Sequence, residues 1–149
     1  MTITFYDCGH PLSAELQGRI TGFLFRHLGR FGDPCGDIRR AIDYAMKADP
    51  YAGGFVCVAS ESEEITGAVV MNRTGMESYI PENILVYIAV HEAHRGQGLG
   101  KRLMKAVIEH AEGGIALHVD PNNPARRLYE SLGFTNKYLE MRLQGKEGS

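Results

Sequence analysis

Residues 84–100 read Ile-Leu-Val-Tyr-Ile-Ala-Val-His-Glu-Ala-His-Arg-Gly-Gln-Gly-Leu-Gly. The unbroken apolar run Ile84 to Val90 is far shorter than the ~20 residues of a membrane helix. Bounded by turn residues, it predicts a central strand covered on both faces. The polar, glycine-bearing stretch His91 to Gly98 predicts a turn. A helix then runs from about Gly98 to Glu112, with Leu99, Leu103, Ala106 and Val107 on one face and Lys101, Lys105 and Glu109 on the other. Strand, glycine turn and helix in that order set the class of the domain, and the flanking sequence extends the pattern.

Downstream, Ile115 to Val119 predicts another short buried strand. Asn122-Asn123-Pro124 opens a helix with a polar cap and Pro in its first turn. Ala125, Leu128, Tyr129 and Leu132 form its apolar stripe, and Gly133 suits the left-handed residue that closes it. Phe134 and Tyr138 to Leu143 predict final short strands. Upstream, Ile3 and Phe5 mark a first strand. Leu12, Leu16, Ile20, Phe23, Leu24 and Leu28 form the stripe of a helix starting near Pro11, which Gly29, Gly32 and Pro34 break. Ile38, Ile42, Ala45 and Met46 mark a shorter helix before Pro50. Phe55 to Ser60 and Ile65 to Met71 predict two antiparallel strands joined by the acidic turn Glu61–Glu64. The sum is a mixed α/β domain.

The whole chain of 149 residues fits one domain, with residues 1–144 as the folded unit and 145–149 as a tail. Hydrophobic residues are 44% and charged residues 23%, which excludes bulk disorder. The net charge of −2 is spread over both halves, which argues against nucleic acid as a partner. Neither a membrane-length segment nor a secretory leader is visible, so the expected location is the cytoplasm. Cys8, Cys35 and Cys57 make no C-x-x-C pair and no zinc pattern, and read as free thiols in a reducing compartment. His91, Glu92 and His94 lack a further ligand at suitable spacing, so no metal is expected.

The turn Arg95-Gly96-Gln97-Gly98-Leu99-Gly100 carries the chemistry. Glycines at alternate positions let amide N–H groups approach an anion closely, and the start of the helix adds partial positive charge. Arg95, Lys101 and Arg102 add full charges, and the combination suits a pyrophosphate. It is not a Walker loop, because Arg95 stands at the first glycine position and Arg102 at the Ser/Thr position. It also misses the third glycine of the dinucleotide fingerprint, where Lys101 or Leu103 stands. On these residues alone, a glycine-rich helix start without a ligand remains open.

A second motif closes that gap. Arg95-x-x-Gly98-x-Gly100 follows a strand ending in Ile88-Ala89-Val90. Asn122-x-x-Ala125-x-x-Leu128-Tyr129-x-x-x-Gly133-Phe134 comes after it. In that order and separation the two motifs resemble the GNAT superfamily of acetyl-CoA-dependent N-acetyltransferases. Residues 84–134 carry the resemblance, and the first half agrees only in its order of elements. The resemblance implies a mixed, mostly antiparallel central sheet flanked by helices. Two neighbouring parallel strands, ending at Val90 and Val119, splay apart to form the acetyl-CoA cleft. It implies that Ile88, Ala89 and Val90 offer main-chain partners to the pantetheine arm, with an amide near Val90 polarising the thioester carbonyl. The pyrophosphate rests on Arg95, Gly96, Gln97, Gly98, Leu99, Gly100 and Lys101. Asn122 bonds the pantetheine region, with Asn123 beside it as the competing helix cap.

The implied reaction moves acetyl from acetyl-CoA to a primary amine by direct attack in a ternary complex. The amine belongs to a small molecule, a peptide or a protein N-terminus. Tyr129 takes the place of the family's acid, although its apolar stripe equally suits packing. Several relatives carry Glu or His in the central strand, at positions where this chain has the apolar Ile84 and Val86. Ribosomal-protein N-terminal acetyltransferases instead carry a glutamate in the next strand. The resemblance places His118 there as the candidate base by strand pattern, or Leu117 by counting back from Tyr129, and His118 equally suits an outward-facing strand residue. Glu82, Asn83 and Tyr87 are weaker candidates to hold a water, and Asp33, Asp37 and Asp43 to face a cationic acceptor. The missing strand carboxylate also leaves a non-catalytic CoA-binding sensor or interaction module as the alternative. Homodimers are common among relatives, and nothing in the chain fixes an interface.

Overall fold

The computed structural model describes residues 1–146, which fall into two compact units, residues 1–117 and 118–146. The first holds a five-stranded sheet in the order β1 (Thr2–Tyr6), β2 (Gly54–Glu61), β3 (Glu64–Arg73), β4 (Asn83–Val90) and β5 (Ile115–Leu117). The first four strands are antiparallel in sequence order, and β5 joins β4 in parallel. The β2–β3 hairpin turns on Ser62 and Glu63, with φ of 51° and 69°. Positive φ at both central residues is the twist-matched geometry of a two-residue hairpin. The mostly antiparallel mixed sheet expected of the chain is therefore present.

Helices α1 (Ala14–Leu28) and α2 (Cys35–Ala45) cover one face. Ser13, rather than the region of Pro11, starts α1, because its side chain accepts from the amide of Leu16 at 3.1 Å. Ile20, Leu24, Ile38 and Ile42 are fully buried against Val56, Val58, Val70 and Tyr87. Each such aliphatic side chain contributes about 1.5–3 kcal/mol of burial. Helix α3 (Leu99–His110) lies on the opposite face. Neighbours on β3 show this: Ala68 belongs to the α1–α2 core, while a Cβ on Gly67 would overlap Leu103 of α3.

A bulge lies in the middle of β4. Val70 pairs with Tyr87 and Met71 with Leu85, which leaves Val86 as an extra residue. A bulge bends its strand and changes which face the following side chains meet. Accordingly Tyr87 and Ala89 belong to the α1–α2 core and Val86 packs against it, whereas Leu85 is outside that cluster. The parallel pairing to β5 stops at the same place, with Leu85↔Leu117 as its last pair. The predicted strand to Val119 is thus shorter, ending at Leu117 where its pairing with β4 ends. Beyond Leu85 no strand pairs with that edge of β4 among the described residues.

In the second unit, α4 (Ala125–Ser131) follows a tight turn in which Asn123 N–H donates to Asp120 O at 2.9 Å. Asn123 Oδ1 accepts from Ala125 N–H at 2.9 Å, an Asx turn leading into the helix, while Pro124 rather than Asn123 stands at the cap position. Gly133, with φ of 99°, closes it as predicted. Phe134 N–H donates to Tyr129 O and Gly133 N–H to Glu130 O, each at 3.1 Å, the paired bonds of a Schellman closure. The predicted strands at Phe134 and Tyr138–Leu143 do not form. Those residues have no ladder, and Tyr138, Leu139, Met141 and Leu143 are exposed. Alternating apolarity makes a strand only where a neighbouring backbone completes its hydrogen bonds. Of the predicted tail 145–149, residues 147–149 lie outside the described residues.

Candidate active site

The turn after β4 is built from backbone. Gly96 and Gly98 both have φ of 80°, and open space lies where a Cβ would stand on either. A side chain at that φ is strained by about 1–2 kcal/mol. Gly98 is the left-handed residue that starts α3. Among the described residues, no acceptor takes the N–H groups of Gly96, Gln97, Gly98, Leu99, Gly100 or Lys101; the first amide of α3 to be satisfied is that of Arg102, donating to Gly98 O at 3.1 Å. These consecutive free amides at a helix start form an anion cradle, beside the exposed Arg95, Lys101 and Arg102. The residues present therefore fit a diphosphate.

Arg95 fixes the cradle from behind. Its guanidinium donates to the carbonyl of His27, in the last turn of α1, at 2.6 Å. His27 is itself buried, and its ring lies 4.4 Å from that of His91. Burial, then the charge of His91, holds the His27 pKa below its ordinary value. Among the described residues His27 Nδ1 has no partner, and neither has the buried Thr66 Oγ1. His91 N–H donates to Thr66 O at 2.8 Å, which joins these residues in one layer under the turn.

Ile88, Ala89 and Val90 sit on the part of β4 that runs past β5. Their other edge is paired to Val69, Ala68 and Gly67 of β3. One side of this strand is thus held rigidly while the other offers N–H and C=O groups, the condition for a ligand to add itself as a short extra strand.

Tyr129 in α4 is buried, its ring 5.9 Å from Phe134. Its hydroxyl has no hydrogen-bond partner among the described residues, and burial pushes its pKa up to about 12. The phenol therefore keeps its proton at neutral pH. His118 is exposed and immediately follows β5, while Leu117 is the last residue of that strand. Asn122 is exposed, and its side chain is free of hydrogen bonds to the described residues; the oxygen of Asn123 is engaged by the amide of Ala125.

Two predicted water-holders have structural work instead. Asn83 Nδ2 donates to Glu112 O at 2.7 Å and to Gly114 O at 3.2 Å, and Glu82 Oε1 accepts from Gly114 N–H at 3.2 Å. They pin the α3–β5 link to the base of β4. Asp37 is paired with Arg40 at 2.8 Å, and Asp43 accepts from Gln17 Nε2 at 2.5 Å. The sequence reading missed one pairing: Tyr87 Oη donates to Asp33 Oδ2 at 2.6 Å, joining the centre of the sheet to the loop before α2. Both residues stood as separate candidates, but no local pattern links positions so far apart.

Comparison with known proteins agrees with this geometry. A family model described as an acetyltransferase (GNAT) domain matches residues 52–136. The chain is 34% identical over 103 residues to the 5-NmdU N-acetyltransferase of Pseudomonas phage PaMx11, covering 66% of this chain and 69% of that protein. It is 35% identical over 97 residues to a mycothiol acetyltransferase of Corynebacterium glutamicum, covering 61% of this chain but only 32% of that longer protein. The crystal structure of an aminoglycoside antibiotic 6'-N-acetyltransferase from Acinetobacter haemolyticus superposes with a TM-score of 0.68 at 17% identity, over 98% of this chain and 99% of the other, which is a likeness of fold. With a glycine cradle, an opened parallel strand pair and a family match across both, the chain belongs to the GNAT family and is an acetyl-CoA-dependent N-acetyltransferase.

Proposed function

We propose that the protein acetylates a primary amine by direct transfer within a ternary complex. Residues 1–144 act as one catalytic domain, a reading supported by the family match running from the first unit into the second. The observation that carries the proposal is the cradle of free amides from Gly96 to Lys101, next to the unpaired edge of β4. When bound, acetyl-CoA supplies the activated acetyl thioester. The amides of residues 96–101 hold its diphosphate, with Arg95 and Lys101 adding charge, and the main chain of Ile88, Ala89 and Val90 holds the pantetheine arm. Asn122 adds a side-chain bond there, with Asn123 shaping the turn beside it. An amide near Val90 serves as the oxyanion donor.

An alkylamine with a pKa near ~10.4 arrives mostly protonated. His118, exposed to solvent, takes its proton directly or through water. Tyr129 delivers a proton to the departing thiolate; its raised pKa keeps the phenol charged with that proton until it is needed. The free thiols of Cys8, Cys35 and Cys57 support a reducing location such as the cytoplasm.

The test is thiol release from acetyl-CoA against a panel of amines. His118→Ala is expected to lower kcat about 100-fold and to steepen the dependence on pH, because the amine must then lose its proton unaided. An unchanged rate and pH profile would remove His118 from the mechanism. Calorimetry should show wild type and variant binding CoA equally.

A further inference from the structure

The reading of β4 as the acetyl-donor strand leaves unassigned what it faces on the other side, and the inference here rests on that reading. The Val86 bulge turns Tyr87 onto the α1–α2 face at the point where the parallel pairing ends. There Tyr87 is buried in the core cluster formed with α1 and α2. Its phenol is buried and aimed at one oxygen of Asp33, at 2.6 Å.

Asp33 differs from the other carboxylates around it. Asp37 is paired with Arg40 and Asp43 is bonded by Gln17. Among the described residues Asp33 has no cation within ion-pair distance, its Oδ1 has no hydrogen bond, and it is exposed. A carboxylate on a flexible loop gains little from meeting an exposed cation, because ordering both costs as much as the attraction returns. Asp33 is already ordered by a buried donor. Tyr87 stays protonated, since burial and the neighbouring carboxylate push its pKa up, so it serves Asp33 only as a donor.

We propose that Asp33, held in place by Tyr87, is a specificity-determining residue that anchors the acceptor by a cationic group. The anchored nitrogen is not the one that is acetylated. A carboxylate at ion-pair distance favours the charged form of an amine, and a charged amine has no lone pair with which to attack. The acceptor class is therefore an amine with a second cationic centre: a diamine or polyamine, one nitrogen held at Asp33 and the other presented at β4. Asp37 adds negative potential at Tyr87 without contacting it, which favours the same ligand.

The experiment compares linear diamines with monoamines of the same chain length by thiol release. Wild type is expected to favour the diamine about tenfold or more in kcat/KM, the usual worth of a hydrogen bond to a charged group. Asp33→Asn keeps an acceptor for Tyr87, and so the tether, but loses the charge. It should bring the diamine-to-monoamine ratio close to one, through KM of the diamine, with unchanged melting temperature and KM for acetyl-CoA. Tyr87→Phe should move the ratio the same way by a smaller factor. A wild-type ratio near one, or a loss in Asp33→Asn shared equally by both amines, overturns the assignment and makes the pair a loop tether. If no amine releases thiol while acetyl-CoA still raises the melting temperature, the acceptor class is wrong and the cradle stands. If acetyl-CoA has no effect on melting either, the underlying reading falls with it.

Discussion

The glycine turn after β4 and the Tyr87–Asp33 junction on that strand are made in different ways. The turn uses main chain: successive N–H groups, two left-handed glycines and the start of a helix, all within residues 95–101. The junction uses two side chains, 54 residues apart in sequence, one turned by a bulge and one carried on a loop. A backbone site tolerates exchange of most of its side chains but not of its conformation. A side-chain site tolerates conformational drift but not the loss of one functional atom.

The largest expected effect breaks the backbone site. Gly98→Val combines strain of about 1–2 kcal/mol at φ of 80° with a side chain in the open space over the amides. The strain lowers the melting temperature, while loss of one charge-assisted hydrogen bond to the ligand, about 1.5–3 kcal/mol, lowers affinity for CoA by about 10- to 100-fold, measured by calorimetry. Gln97→Ala in the same turn should change it less than threefold, because that position contributes its N–H and has negative φ. Equal losses in the two variants would refute the backbone account.

Comparable in size but different in kind, Tyr129→Phe should reduce kcat on the order of 100-fold while KM for acetyl-CoA stays within a factor of two. The hydroxyl has no partner among the described residues, so its removal leaves no protein group unsatisfied. Full turnover in this variant would assign Tyr129 to packing alone.

A smaller effect tests how the turn is supported. His27 has a lowered pKa in the folded chain, so below its ordinary value of 6.5 the unfolded chain binds more protons than the folded one. Stability is therefore full above that value and is lost as pH falls through and below it. Melting curves from pH 8 to 5 should show the loss, and His27→Gln should flatten it. Because the His27 carbonyl holds Arg95, CoA affinity should decline over the same interval. The smallest effect is a control: Ser13→Ala, at the α1 cap, should cost about 1 kcal/mol of stability with kcat and both KM values unchanged.

What was legible in the sequence follows the same division. The glycine turn, α3 and the closure of α4 at Gly133 are local, because each depends on residues a few positions apart, and each was read in place. The Tyr87–Asp33 contact depends on a bulge that no glycine or proline announces: Val86 is one apolar residue in a row of them. The same run concealed where parallel pairing ends, so β5 was read two residues too long. Tyr138–Leu143 alternates as a strand should, yet alternation reports which side chains prefer cover and says nothing about which backbone completes the ladder.

The bulge at Val86 divides β4 by the kind of substitution each half can accept. From Asn83 to Leu85 the strand is committed on both edges, to β3 and to β5, and Asn83 also ties down the end of α3. Variation there is limited by the assembly of the domain. From Tyr87 to Val90 one edge is free of β5, and among the described residues no second strand limits what stands there. Within one strand, then, an evolving lineage holds a fixed foundation and an adjustable working end. On the reading proposed above, a new acceptor is met by changes at Asp33 and beyond Val86, while Asn83 to Leu85 stay as they are.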